Sequence, residues 1–110
     1  MKQREITVLP YDAETAISAL AEALNACKSA QEIRTFLVDL CTPAELEALS
    51  DRWKVVPHLL LGEPYREVHE RTAVSVTTIG RVARTLEHGA GGYATAARRL
   101  RLPETPGARS

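Results

Sequence analysis

Aromatic side chains are scarce in this chain of 110 residues, at 5% of the total. With so few large rings, a core must be assembled from aliphatic residues and alanine, a composition that favours helices. Cysteine is almost absent. Cys27 and Cys41 fall on different predicted helices without metal-ligand spacing, which favours a reduced, cytoplasmic setting over a disulfide framework. No apolar run approaches the length of a membrane span, and Lys2, Gln3, Arg4 and Glu5 after Met1 leave no signal peptide to read. Glycine-rich phosphate loops and nucleophile motifs are missing, and His58, His69 and His88 are dispersed. Neither an enzyme, a metal site nor a bound cofactor is therefore expected.

Net charge is lacking as well, since 14 basic residues balance 14 acidic ones. The distribution is uneven, however. Residues 1–61 hold 6 basic and 9 acidic side chains, and residues 62–110 hold 8 basic and 5 acidic. A positive C-terminal half is compatible with phosphate contact without requiring it.

What is present centres on PYREVHERTAVSVTTIGRVARTL, residues 64–86. Tyr65, Val68 and Thr72 share one helical face. Ala73, Val74 and Ser75 interrupt the pattern, and Ser75 can cap a second helix by accepting a hydrogen bond from the next turn. That helix places Ile79, Val82, Ala83 and Leu86 on an apolar stripe and turns Val76, Thr77, Thr78, Arg81, Arg84 and Thr85 outward. Two short helices joined by a tight turn, the second displaying hydroxyls, methyls and guanidinia, read as a helix-turn-helix. The hydroxyls can meet phosphates or base edges, the methyls can meet thymine, and the arginine forks match guanine or phosphate oxygens. The plain alternative is a helical hairpin with a solvated face.

Around this stretch the chain reads as further helices. Residues 1–11 lack a period and form a loose arm. Asp12 caps a helix to about Ala26, with Ala13, Ala16, Ile17, Leu20 and Leu24 on its apolar side. Ser29 and Glu32 make a capping box for a second helix through about Leu40, striped by Ile33, Phe36, Leu37 and Leu40. Thr42, Pro43 and Glu45 start a third, on which Leu46, Leu49, Trp53, Val56 and Leu60 align before Gly62 ends it. Pro57 predicts a kink or break near residues 53–57, because it deletes a backbone hydrogen bond and clashes with the preceding turn. Beyond the joint at residues 90–92, a last helix from Tyr93 to about Leu102 gathers Arg98, Arg99 and Arg101. A helical domain over residues 12–102 is followed by a tail, residues 103–110, expected to be disordered.

Three segments together carry a family likeness: TPAELEALSDRW (residues 42–53), YREVHERTAVSVTTIGRVAR (residues 65–84) and LEHGAGGY (residues 86–93). The chain resembles the Trp repressor superfamily, and within it the YerC/YecD-type branch, from Ala19 to Leu100. That resemblance implies an all-α, intertwined homodimer whose N-terminal helices interlock, each subunit presenting a helix-turn-helix to a half-site. Half-sites should then lie about 34–36 Å apart on the duplex, or a multiple of that. Arg52 and Arg81 match the two arginines that hold tryptophan in the Trp repressor itself. Val82 stands where that repressor has glycine, and the core stripe also claims Val82, so no small-molecule corepressor is expected. Arg52 is then read as a partner for Glu45, Glu47 or Asp51. His69 and Ala73 replace the small residue and the glycine usual in such heads, which points to a tilted or loosened head.

The leading expectation is a sequence-specific DNA-binding transcriptional regulator, a repressor, acting as a cytoplasmic homodimer on a palindromic site in double-stranded DNA. Val76, Thr77, Thr78 and Arg81 would face base edges, while Ser75, Arg84, Arg98 and Arg99 would hold phosphates. The other reading is a helical dimerisation or protein-interaction module with little or no DNA binding, which the zero net charge and the residues at Pro57, His69 and Ala73 favour.

Overall fold

The computed structural model describes residues 12–105. Among them are six helices and no strand: α1 (Ala13–Ala26), α2 (Ala30–Leu40), α3 (Pro43–Leu60), α4 (Tyr65–Thr72), α5 (Val76–His88) and α6 (Gly92–Arg99). The all-α expectation is met. The proposed N-terminal arm, residues 1–11, and residues 106–110 lie outside the described part. The chain divides into two compact units at Thr42 and Pro43.

In the first unit, local chemistry sets the helix ends. The Thr15 amide donates to Asp12 Oδ1 at 2.8 Å, and the Glu32 amide donates to Ser29 Oγ at 3.1 Å. Glu32 completes its box one residue earlier than expected, accepting from the Lys28 amide at 2.7 Å. Neither helix holds a buried residue. Leu24, Ile33, Phe36 and Leu37 are half-buried, but Ile17 is 60% exposed and Leu40 50%, so the apolar stripes of this unit are only partly covered.

The second unit contains the core: Val55, Val56, Leu59, Leu60, Val68, Val74, Ile79, Val82 and Ala97, with Trp53, Ala83, Leu86, Tyr93 and Leu102 packed against them. Helix α3 is the platform, on which α4, α5 and α6 all rest. Pro57 does not break it, because the helix continues to Leu60. The penalty of roughly 3 kcal/mol for an interior proline is outweighed by burial. Val55, Val56, Leu59 and Leu60 are all buried on that segment, and each is worth about 1.5–3 kcal/mol.

Three helices of this unit end on a left-handed residue. After α3, Gly62 (φ 77) donates to the Leu59 carbonyl while the Glu63 amide reaches back to the His58 carbonyl, the paired bonds of a Schellman ending. After α6 the same pair recurs, from Arg101 to Arg98 and from Leu102 to Ala97, but an arginine (φ 61) takes the glycine's place. After α4 the turn residue is Ala73 (φ 65), held by a single bond from its amide to the His69 carbonyl at 2.8 Å.

The C-terminal segment departs from expectation. Thr105 is pinned to the end of α3: its amide donates to the Leu60 carbonyl at 3.0 Å and its hydroxyl to the Leu61 carbonyl at 3.1 Å. The part of the supposed disordered tail up to Thr105 is therefore ordered, through two contacts made 44 and 45 positions away along the chain.

Candidate nucleic-acid interface

The helix-turn-helix forms where the turn chemistry placed it, with α4 and α5 separated by residues 73–75. Ser75 Oγ accepts from the Thr78 amide at 3.1 Å and donates its own proton to Thr78 Oγ1 at 3.1 Å. Cap and first turn are thereby locked together. The amides of Val76 and Thr77 begin the helix and have no acceptor within it, so they face outward at its positive end. No acidic residue lies in that first turn.

Helix α5 has two distinct sides. Ile79, Gly80 and Val82 are buried and Ala83 and Leu86 half-buried, whereas Thr77, Arg81, Arg84 and Thr85 are exposed and Thr78 half-exposed. Val76 is 50% exposed, an apolar side chain left to solvent at the helix tip. Where α4 crosses α5, Gly80 leaves the space: a Cβ there would sit 3.7 Å from Arg84 Nη1 and 3.7 Å from Tyr65 Cε2. Arg84 thus lies back along its helix toward Tyr65. Arg81, Arg84, Arg98 and Arg99 enter none of the ion pairs formed among the described residues.

The head is braced to its platform by charge. Glu63 Oε1 lies 2.9 Å from His58 Nδ1 and 3.6 Å from Arg71 Nε, joining the end of α3 to α4. The arginines of α6 belong elsewhere. Helix α6 rests on α3, with Trp53 and Tyr93 ring centroids 6.2 Å apart between them. Arg98 rims a groove floored by Leu60, Ala97 and Leu102, while Arg99 is exposed. The outward residues of α5 form one array, and Arg98 and Arg99 are carried on a separate element.

His69 and Ala73, read as signs of a loosened head, both take part in a hydrogen-bonded turn. His69 is exposed. Its Nδ1 lies 2.7 Å from the Val74 carbonyl oxygen, and because a carbonyl only accepts, Nδ1–H is the donor. Thr72 Oγ1 accepts from the Val74 amide at 3.2 Å and donates to the Val68 carbonyl at 2.7 Å. No sequence pattern marks a histidine as the partner of a carbonyl five residues ahead.

The sequence profile of the Trp repressor protein family matches residues 15–101. The chain belongs to the Trp repressor family. It is 33% identical over 89 residues to the protein YerC of Bacillus subtilis (strain 168), across 81% of this chain and 86% of that one. Among solved structures, a TrpR-like protein from Eubacterium eligens ATCC 27750 superposes with a TM-score of 0.75 at 34% identity, covering 82% of this chain and 93% of that one. A candidate Trp repressor from Staphylococcus aureus gives a TM-score of 0.76 at 29% identity, with 82% and 90% covered. The resemblance read from the three sequence segments is therefore correct at the level of family and fold.

Within this family member, the two positions matched to tryptophan-holding arginines differ in setting. Arg52 is half-buried on α3 and Arg81 exposed on α5. Val82 is 1% exposed, a core residue as its spacing predicts. Asp51, on the same helix, pairs with Lys54 at 3.6 Å. No helix among the described residues is long and apolar enough to cross a membrane, and no group of three or more His, Cys, Asp or Glu side chains there could hold a metal.

Proposed function

We propose that the protein is a sequence-specific DNA-binding transcriptional regulator, a repressor, that acts as a homodimer on a palindromic site. The observation that carries this reading is the two-sided α5. Its inner side is locked into the core by Ile79 and Val82, and its outer side presents Val76, Thr77, Thr78 and Arg81 without a single acid in the first turn. A rigid helix with that outer chemistry suits the major groove: Arg81 is assigned to a guanine edge, and the Thr77 and Val76 methyls to thymine. The helix N-terminus at Ser75, with Arg84, Arg98 and Arg99, is assigned to phosphates that set register.

Dimerisation is supported by the first unit. Helices of 14 and 11 residues with no fully buried side chain are marginal alone in water, and their partly covered stripes suit a second copy of the chain. Two heads related by a dyad then address half-sites about 34–36 Å apart or a multiple of that. Selection of bound duplexes from a random pool tests the proposal and reports the spacing. An inverted repeat is expected, and a pool that stays unenriched would refute it. Within a selected site, Arg81→Ala should cost about 1–3 kcal/mol and relax one base position; equal losses on cognate and random DNA would contradict base reading.

A further inference from the structure

We infer that His69 is a positioning residue for the reading helix, a role that rests on the DNA-binding function proposed above and adds a residue outside the reading face. Val74 is the middle residue of the turn, and its side chain is 4% exposed. Neither of its backbone polar groups is satisfied by the helix it leads into. Both are satisfied by side chains of α4: Thr72 Oγ1 takes the amide at 3.2 Å, and His69 Nδ1–H gives to the carbonyl at 2.7 Å. That carbonyl belongs to the peptide plane joining Val74 to Ser75, the plane that leads into the cap of α5. Holding it fixes the direction in which the capped helix departs. Arg81 lies six residues beyond the cap, about 9 Å along the axis, so a tilt of 10° at the plane moves it by roughly 1.6 Å over that rise. A displacement of that order is enough to spoil a bidentate contact with a base edge, whose geometry tolerates a few tenths of an ångström.

The bond also offsets an unfavourable turn. Ala73 occupies a left-handed conformation (φ 65) that an L-residue enters reluctantly, and the stitches on either side keep it there. The ring must carry its proton on Nδ1 to donate this bond, because a neutral ring protonated at Nε2 offers the carbonyl only an acceptor. Glu63, in the loop before α4, is engaged by His58 and Arg71.

Asparagine carries its amide nitrogen on the same carbon as histidine carries Nδ1, so His69→Asn preserves a donor, whereas His69→Leu keeps bulk and removes it. Binding to a selected duplex and to random duplex is measured for the full chain and both variants, together with hydrogen exchange of the Val76 to Ile79 amides and the ¹⁵N shifts of the His69 ring. The ring should show the Nδ1–H form. His69→Leu should lose about five- to tenfold on the selected duplex, the scale of one hydrogen bond, with random binding unchanged, and His69→Asn should recover most of it. Equal loss on both duplexes, or an asparagine variant no better than leucine, would overturn the positioning role. If the parent enriches no sequence, the DNA reading fails, and the exchange rates alone decide. Faster exchange of those amides in His69→Leu than in His69→Asn sustains the positioning role, and equal rates overturn it.

Discussion

Replacing Ala73 by glycine should stabilise the protein, against the usual direction of glycine substitutions. Ala73 sits at φ 65, ψ 8 immediately after α4, and it is exposed, so its methyl contributes little burial. An L-residue in the left-handed region costs about 1–2 kcal/mol. Glycine avoids that cost but gives the unfolded chain more freedom, which returns about 0.5–1 kcal/mol. The net expectation is a gain of roughly 0.5–1 kcal/mol. For a domain of this size, that gain should raise the melting temperature by about 4 °C. Thermal unfolding followed by circular dichroism, with protomer concentration held constant because association shifts Tm, provides the assay. A urea titration should show the midpoint rise without a change in slope. The amide of residue 73 still donates to His69, so DNA selectivity should be unchanged. Arg101, at φ 61 after α6, is an internal control: Arg101→Gly should shift stability in the same direction, and the two changes should add if the sites are independent. A melting temperature unchanged or lowered by Ala73→Gly would refute the left-handed turn on which this description of the head depends.

Other outcomes follow from the same geometry. Gly80→Ala should stabilise α5 by up to about 1 kcal/mol, because the added Cβ meets only ordinary contacts at 3.7 Å; a fall in Tm would mean that the crossing with Tyr65 is tighter than described. Asp12 should titrate below its ordinary value of 3.8, held there first by the Thr15 amide and then by the Thr15 hydroxyl. Because its folded value is depressed, the cap's contribution is present above 3.8 and fades as pH falls through the lower folded value. An NMR titration of the Asp12 carboxyl with a midpoint at or above 3.8 would contradict this. Thr105→Val should cost about 0.5–1 kcal/mol by removing the hydroxyl bond to Leu61, read by chemical unfolding; no change would mean that the clip is idle. Removing Arg98 and Arg99 together should weaken all duplexes alike and flatten the salt dependence by about one unit per lost phosphate contact, and an unaltered slope would detach α6 from DNA.

Sequence alone determined the elements and most of their limits, although α6 ends at Arg99 and not near Leu102. Asp12, Ser29 and Ser75 cap α1, α2 and α5, Pro43 opens α3 and Gly62 closes it, because each signal acts within one turn of chain and needs no distant partner. The two sides of α5 were legible for the same reason: a helical period alone separates Ile79 and Val82 from Thr77 and Arg81. What only the tertiary structure decided involves partners or opposing forces that the local pattern does not contain. Pro57 stays inside α3 because four buried aliphatics outweigh its lost hydrogen bond, and that burial depends on where α4, α5 and α6 come to rest. Thr105 is ordered because it finds Leu60 and Leu61 across 44 and 45 positions of chain. The left-handed step at Ala73 was expected from the glycine usual at that turn position, but the bond it allows, with the Val74 carbonyl 2.7 Å from His69 Nδ1, was not.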